Sequence, residues 1–558
     1  MAKKSKNNKQ KKIISIKQKQ SKSNYQNPPK TKSTNSKKSE KVVILESKFV
    51  GNYQLYIDGK WQDAVSKQTF EVINPGNSQV IAKVAKADIA DTKRAIDAAR
   101  RAFDSGVWSS KTPAERASII WKLAELVEQN LEKLSYLEAL NQGKTIKYSH
   151  DSDFPFIIDN LKFFAGAARM LEGKAAAEYT GLGTSFVRRE PIGVCACIIP
   201  WNYPLFIAVW QLAPALAAGN TIVAKPATLT PITLLEFAKL AEQAGVPAGV
   251  LNIITGPGDV LGPELATNPK VDMISVTGDT GTGKKVMQLA ASTLKRVHLE
   301  LGGKAPMIIL DDCDLEITAE GAIVGAYWNG GQDCTAVTRV YVPERLHDKF
   351  VTMLVERAKR FVLGNQLSWD TDMGPLVSSK QRERVEWYVK TGIEQGAKVV
   401  YGGRRPTLKE LQSNSKQDKQ IEKGFFYLPT IITNVKQHMK ICQEEIFGPV
   451  LTVLKYKTVD EAIEKANDVV YGLASSVWGK DVTTLMKVAN KLKFGTVWIN
   501  EHGALASEMP HGGYKQSGFG KDLSSYSLEE YTNIKHVYID QTNIARKPWH
   551  YVVYGKKE

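Results

Sequence analysis

Cysteine is scarce, at 5 of 558 residues. That excludes a disulfide scaffold, and a low, odd count suits a reducing, cytoplasmic setting in which a thiol is free for chemistry. Uninterrupted apolar runs of membrane length are missing too. The best candidate, residues 193–219, is broken by Pro200, Pro204 and Pro214 and carries Asn202 and Gln211. A bilayer span needs about 20 apolar residues with every backbone group satisfied, so this stretch reads as strand, turn and buried helix, and no membrane association is expected. Cys195 and Cys197 lie in an apolar strand with no second pair or histidine cluster beside them, so no metal site is expected. The composition also excludes collagen-like and coiled-coil classes.

Arginine is absent from the first 48 residues, which hold 15 lysines against two acids, Glu40 and Glu46. This segment supplies +13 of the net charge of +17, and the remaining 60 basic and 56 acidic groups leave +4. The basicity that invites a nucleic-acid reading is therefore mainly a tail property. Residues 1–41, built from Lys, Ser, Asn and Gln, cannot bury enough apolar area to offset ordering entropy and read as disordered. They have neither the apolar core of a secretory signal nor the arginines of a mitochondrial leader. Two readings stay open: a solvated extension, or a salt-sensitive, unspecific contact with RNA, DNA or an anionic surface.

From Tyr53 the text becomes globular. Residues 56–61, YIDGKW, predict a hairpin with Asp58-Gly59 as its turn. Helical periodicity follows over 91–103 and 113–138, the second starting at Pro113 behind a Thr112 cap. Residues 190–310 then alternate. Strands are expected at 194–199, 221–225, 250–255, 273–277 and 297–301, with helices between them. Strands at this spacing imply β-α-β units and a parallel, doubly wound sheet, whose ligands bind at the carboxyl ends of its strands. A second α/β region spans about 304–513, and the polar residues 405–423 read as a surface insertion.

Several strand ends carry residues suited to chemistry. TGDTGTGKK (277–285) follows a strand and opens a helix, where backbone N–H groups can cradle phosphate. Lys285 stands where a nucleotide triphosphatase needs Ser or Thr for magnesium, so a dinucleotide pyrophosphate is the better candidate. Cys334, in NGGQDCTAVTR (329–339), lies on a glycine-rich turn where a thiolate can be exposed near backbone donors. Glu300, in HLELGGK (298–304), is an acid at the end of an apolar strand; it is either a solvent-facing strand end or a general base for water. Asn202, between the prolines of PWNYP (200–204), either starts a turn or donates its amide to an oxyanion.

Together PWNYP, KPATLTP, TGDTGTGKK, LELGGKAP, GGQDCTA, EEIFGPV and PHGGYKQSGFGKD resemble, in order, the aldehyde dehydrogenase superfamily over about residues 50–540. The wording is most similar to γ-aminobutyraldehyde dehydrogenases, with aminoaldehyde and betaine-aldehyde enzymes next. The resemblance implies an α/β fold with a Rossmann-type cofactor domain (49–167 and 189–302), a catalytic domain (303–520) and a small oligomerisation sheet from 168–188 and 521–558. Homodimers or homotetramers are expected. It implies Cys334 as nucleophile, Asn202 with the Cys334 N–H as oxyanion donors, and Glu300 as activator of the hydrolytic water. NAD would be held by Trp201, Lys225, Thr228, Gly278, Thr280, Gly283, Glu445 and Phe447. Thr228 replaces the Glu of many NAD-preferring relatives, which leaves NADP open, and Asp279 near a pyrophosphate must point away. For an aminoaldehyde, best 4-aminobutanal, the implied substrate contacts are Asp153, Trp328 and His511. Asp151, Glu501 and Glu508 are further acids, and Tyr327 and Trp498 further aromatics, near the tunnel. A betaine-aldehyde or broad-specificity enzyme is the alternative. A non-catalytic protein docking nucleic acid through the tail is the alternative of another class.

Overall fold

Five strands with helices between them form the half of the molecule that the alternation predicts. They are β1 (Val194–Ile198), β2 (Thr221–Lys225), β3 (Leu251–Ile253), β4 (Met273–Thr277) and β5 (Arg296–Glu300), linked by α1 (Pro204–Ala218), α2 (Ile232–Ala244), α3 (Gly258–Thr267) and α4 (Thr280–Ala290). This computed structural model describes residues 51–412 and 420–555. The basic tail lies outside the described residues, as do 413–419 within the polar insertion.

The strands are parallel in the order β5-β4-β1-β2-β3. β1 and β2 read as apolar runs without alternation because helices cover both faces of the sheet, and β2 is buried throughout. From β1 the chain winds outward through β2 and β3, then returns to the other side for β4 and β5. The β1/β4 boundary is therefore a topological switch point, and the carboxyl ends of β1, β4 and β5 open onto one crevice. Leu55–Ile57 and Lys60–Gln62 extend the sheet beyond β3, and Gly518–Phe519 adds antiparallel to β5. Asp58 and Gly59, with φ of 54° and 69°, both take the left-handed conformation that a two-residue hairpin turn of type I′ requires.

A four-residue link, 301–304, carries the chain from Glu300 into a second, seven-stranded sheet. Its strands run Lys398–Tyr401, Thr430–Thr433, Val450–Tyr456, Val337–Pro343, Ala305–Ile309, Ala474–Trp478 and Thr496–Ile499. All neighbours are parallel except the first pair. A third sheet pairs Gly183–Pro191 with Thr532–Asp540 over nine antiparallel positions and adds Ala176–Ala177. Its first long strand thus continues past residue 188, where the oligomerisation segment was expected to stop.

Two further expectations shift. The helix expected over 113–138 is two helices, Pro113–Gln129 and Leu131–Gln142. Asn130 leaves helical geometry, and its amide donates to Leu126 O at 2.8 Å, closing the first helix. The insertion at 405–423 is anchored rather than wholly superficial. Leu411 and Ile421 are buried in the core of the second sheet, and Leu411–Gln412 pairs with Leu363–Gly364. A polar composition conceals two apolar anchors, and burying them ties the insertion down. Among the described residues no helix is long and apolar enough to cross a membrane, and no cluster of His, Cys, Asp and Glu is arranged to hold a metal.

Candidate active site

Cys334 stands where the two large sheets meet. Helix Leu315–Tyr327 ends in a turn, Trp328–Gly331, in which Asn329, Gly330 and Gly331 all have positive φ. Such a tight left-handed stretch favours glycine and asparagine, and it delivers Cys334 just ahead of Val337–Pro343. The link after Glu300 presses on this turn from the other side. A Cβ at Gly303 would lie 2.1 Å from Cys334 O, so only glycine permits the approach.

Asn202, four residues beyond the end of β1, reaches the same turn. Its amide donates to Gln332 O at 3.1 Å, while its own carbonyl accepts from the Asn329 amide at 2.9 Å. An amide carries two protons, so one remains for another acceptor. Glu300, 4 % exposed, is the last residue of β5. The crossovers of the switch point thus bring together three residues separated by up to 132 positions in the chain.

Burial dominates the electrostatics here. It pushes the Cys334 thiol well above its ordinary range, and the charges of Asp333, Glu300 and Glu445 push the same way. Burial also raises Glu300 well above the carboxylate range, helped by Asp522 and opposed by Lys521. The resting site therefore keeps its thiol protonated, and proton transfer must accompany any nucleophilic attack.

Of the expected dinucleotide contacts, Lys225 and Gly278 lie at the carboxyl ends of β2 and β4. Lys225, the last residue of β2, is 4 % exposed; burial lowers it to about 8, and Nζ donates to Pro226 O at 2.9 Å. Thr228 donates to Gly256 O at 3.0 Å, on the β3 side of the same edge. Gly278 has open space around it, and a Cβ at Gly283 would run into Leu301 at 2.6 Å, so Gly283 serves close packing of α4 on β5. Asp279 does not face the crevice mouth as a bare charge. It caps α4, accepting from Thr282 N at 3.0 Å and Thr282 Oγ1 at 2.6 Å. That leaves the Thr280 and Gly281 N–H groups outside the helix ladder, available to an anion. On the opposite wall Glu445 accepts from Gly303 N at 2.7 Å and is raised to about 7 by burial. Phe447 meets Trp201 edge-on, ring centroids 5.1 Å apart.

The substrate-side expectations fare unevenly. Asp153 is buried, and its carboxylate is 2.6 Å from Lys144 Nζ, which pairs with it. The sequence shows an acid on a helix but not the lysine that folds back onto it. Asp151 is exposed beside His150, and Glu501 and Glu508 are also exposed. Tyr327 is a core residue, its hydroxyl donating to Thr430 O at 3.0 Å. Trp328 stacks on Tyr148 at 4.2 Å, next to the nucleophile turn. His511 is 3 % exposed and packs 5.2 Å from Trp210; burial lowers it to about 4.

Three residues escaped the sequence reading. Asp333, directly before Cys334, accepts from Tyr203 Oη and from Thr335 N and Oγ1, each at 2.7 Å. It was visible inside the quoted motif. Tyr203 stood in PWNYP, with nothing to mark its partner 130 residues away. His502 gave no signal at all. Its Nε2–H donates to Thr335 O at 2.7 Å and its Nδ1 accepts from Ser476 Oγ at 3.0 Å, steadying the residue after Cys334.

This geometry has close relatives. The model of the aldehyde dehydrogenase family matches residues 61–537. Betaine aldehyde dehydrogenase of Bacillus subtilis (strain 168) is 48 % identical over 484 residues, covering 87 % of this chain and 96 % of that protein. An aldehyde dehydrogenase from Bacillus cereus, solved as an NAD+ complex, superimposes with a TM-score of 0.85 at 42 % identity, covering 89 % and 98 % of the two chains. Betaine aldehyde dehydrogenase from Staphylococcus aureus, also solved with NAD+, gives a TM-score of 0.87 at 40 % identity over 91 % and 99 %. With a family match across most of its length and relatives of this identity, the chain belongs to the aldehyde dehydrogenase family.

Proposed function

We propose that this enzyme oxidises small cationic aldehydes to acids with NAD, with 4-aminobutanal as the leading substrate and betaine aldehyde the second reading. The observation that carries the chemistry is the convergence of the Asn202 amide, the Cys334 turn and the buried Glu300 at one switch point. The aldehyde dehydrogenase relatives solved with NAD+ support the cofactor, as does the cradle formed by α4, Lys225 and Glu445. When bound there, NAD supplies the acceptor for a hydride.

Cys334 gives its proton to water in the cleft as its sulfur bonds to the aldehyde carbon. The free amide proton of Asn202 and the Cys334 N–H stabilise the oxyanion where it develops. Removal of the hydride leaves an acyl thioester on Cys334. Glu300 then takes one proton from a water whose oxygen attacks the thioester carbonyl; the C–S bond breaks, and the departing acid leaves its proton on the sulfur, restoring the thiol and releasing a carboxylate. A thiol nucleophile is silenced by oxidation, which supports a reducing, cytoplasmic setting.

For the substrate cation we assign Asp333 in place of Asp153. It is a partly exposed carboxylate adjoining the nucleophile, with the Tyr203 hydroxyl donating to it. The betaine aldehyde dehydrogenases among the relatives favour a cationic substrate without separating the primary amine from the quaternary one. Thr228 presents no carboxylate to repel a 2′-phosphate, so NADP is expected to be used at reduced efficiency. The exposed apolar side chains Ile534, Tyr538 and Ile539 on the third sheet support a homodimer or homotetramer built there.

The test is NADH formation with 4-aminobutanal, betaine aldehyde and propanal, each also run with NADP, and with Cys334→Ala as control. The reading requires the two cations to exceed propanal in kcat/KM and Cys334→Ala to abolish turnover. Propanal equal to both would overturn the substrate class and leave the chemistry standing.

A further inference from the structure

The interior behind Glu300 holds titratable groups that this chemistry does not use. His298 lies two residues before Glu300 on β5 and therefore points to the same face of the sheet. Its ring is buried, with Nε2 3.6 Å from Asp522 Oδ1 and Nδ1 3.4 Å from Glu530 Oε2. Asp522 is completely buried, whereas the Glu530 side chain is 30 % exposed. Asp522, whose charge acts on Glu300, thus leads through His298 to the partly exposed Glu530.

Residues 512–520 are pressed onto this line. A Cβ at Gly512 would sit 2.7 Å from Glu300 Oε1, and one at Gly520 would sit 2.8 Å from Glu530 Oε2 and 3.0 Å from His298 Cγ. Yet Glu300 Oε1, both Asp522 carboxylate oxygens and both His298 ring nitrogens have no hydrogen-bond partner in the protein. Buried polar atoms are nearly always bonded, and exceptions of this density belong to chemistry more often than to scaffolding. Lys521 faces the cluster from the segment before helix Ser524–Glu530, Arg296 from β5, Cys197 from β1 and Tyr531 from just after that helix. Burial and mutual repulsion raise the proton affinity of Glu300, Asp522 and Glu530, the last to about 7. Burial keeps His298 neutral.

Every turnover leaves one proton on Glu300, and that proton must reach solvent before the next thioester is hydrolysed. We propose that His298 and Glu530 form the exit for it. Glu300 passes the proton to Asp522, Asp522 gives one to His298 Nε2, and His298 Nδ1 releases its own to Glu530, which exchanges with water. Each bond broken is an O–H or N–H bond, and each is replaced by one on the next group. A flip of the neutral ring restores the starting tautomer. The inference rests on Glu300 acting as the base, and His298 acts through Glu300, touching neither aldehyde nor cofactor.

Rapid mixing of the full chain with NAD and the aldehyde of highest kcat/KM in the panel above separates the steps. His298→Gln and Glu530→Gln should keep a first-turnover NADH burst of wild-type rate and amplitude. Their steady-state rate should fall about tenfold to a hundredfold. Added imidazole should restore it in proportion to concentration, and Glu530→Asp should retain most of it. Unchanged steady-state rates in both variants would overturn the proposal. So would a fall that takes the burst with it and resists imidazole, which marks a structural role. Glu300→Gln is the separate control. If it turns over normally, the base assignment itself fails, whatever the His298 and Glu530 variants do.

Discussion

Two clusters of buried charge flank the Cys334 turn, and they are finished differently. In the first, Lys144 and Asp153 meet at 2.6 Å with side chains 1 % and 3 % exposed, and Lys144 Nζ sits 4.0 Å from the centre of the Tyr203 ring. Nearby Glu138 accepts from Thr233 Oγ1 at 2.5 Å and Leu205 N at 3.3 Å. Each acid has a cation or donors. In the second, Glu300 Oε1, both Asp522 carboxylate oxygens and both His298 ring nitrogens lack hydrogen-bond partners, and carboxylates outnumber the lysine beside them. Burying charge is costly unless it is paired. The first cluster has its pairing and holds the fold. The second leaves proton affinity unspent, which is what a general base needs.

The comparison breaks most sharply at Glu300. Glu300→Gln should lower the steady-state rate by about 10²–10⁴-fold while the NADH burst survives, because the amide cannot accept the water's proton. The melting temperature should change little, since no hydrogen bond to Glu300 Oε1 is lost. The first cluster should respond the other way. Asp153→Asn or Lys144→Met leaves an unpaired buried group and should cost about 3–5 kcal/mol of stability, read by denaturant unfolding. The double variant Lys144→Met/Asp153→Leu should recover most of that loss. A stability loss at Glu300 as large as that at Asp153 would erase the distinction.

Asp333 lies between the two clusters and tests the substrate reading. Asp333→Asn removes a charge that raises the Cys334 thiol. The pH midpoint of iodoacetamide alkylation should therefore move down, while the preference for 4-aminobutanal over propanal falls roughly tenfold or more. The smallest effect concerns acid. His298 and His511 are each lowered by burial to about 4, against an ordinary 6.5. Each is neutral in the fold and binds a proton more tightly when unfolded. Their contribution is fully present above about pH 6.5 and is lost as the pH falls toward 4. His511→Phe should flatten that part of the pH-dependent thermal melt, and an unchanged slope would count against the assignment.

Much of the cofactor half was legible because its signals are local. Apolar runs of strand length, Gly219 and Gly245 at helix ends and Asp58-Gly59 in the hairpin each act over a few residues. Placing Asn202, Lys225, Gly278 and Glu300 at strand ends follows from that pattern. The substrate side was not legible in the same way. Asp153 and Asp333 are both acids in helix or turn segments, and only their partners tell them apart. Those partners are Lys144, nine residues away, and Tyr203, 130 residues away. The break at Asn130 and the anchors Leu411 and Ile421 escaped notice because periodicity averages over single residues.

The sequence by itself determined the parallel sheet, its glycine turns and the residue types at its strand ends, since backbone conformation and burial patterning are settled by near neighbours. Only the tertiary structure decided which buried acids are neutralised and which are left to move protons. Ionisation inside a protein depends on what packs within a few ångströms, and the groups packed against Glu300 come from segments more than two hundred residues further along the chain.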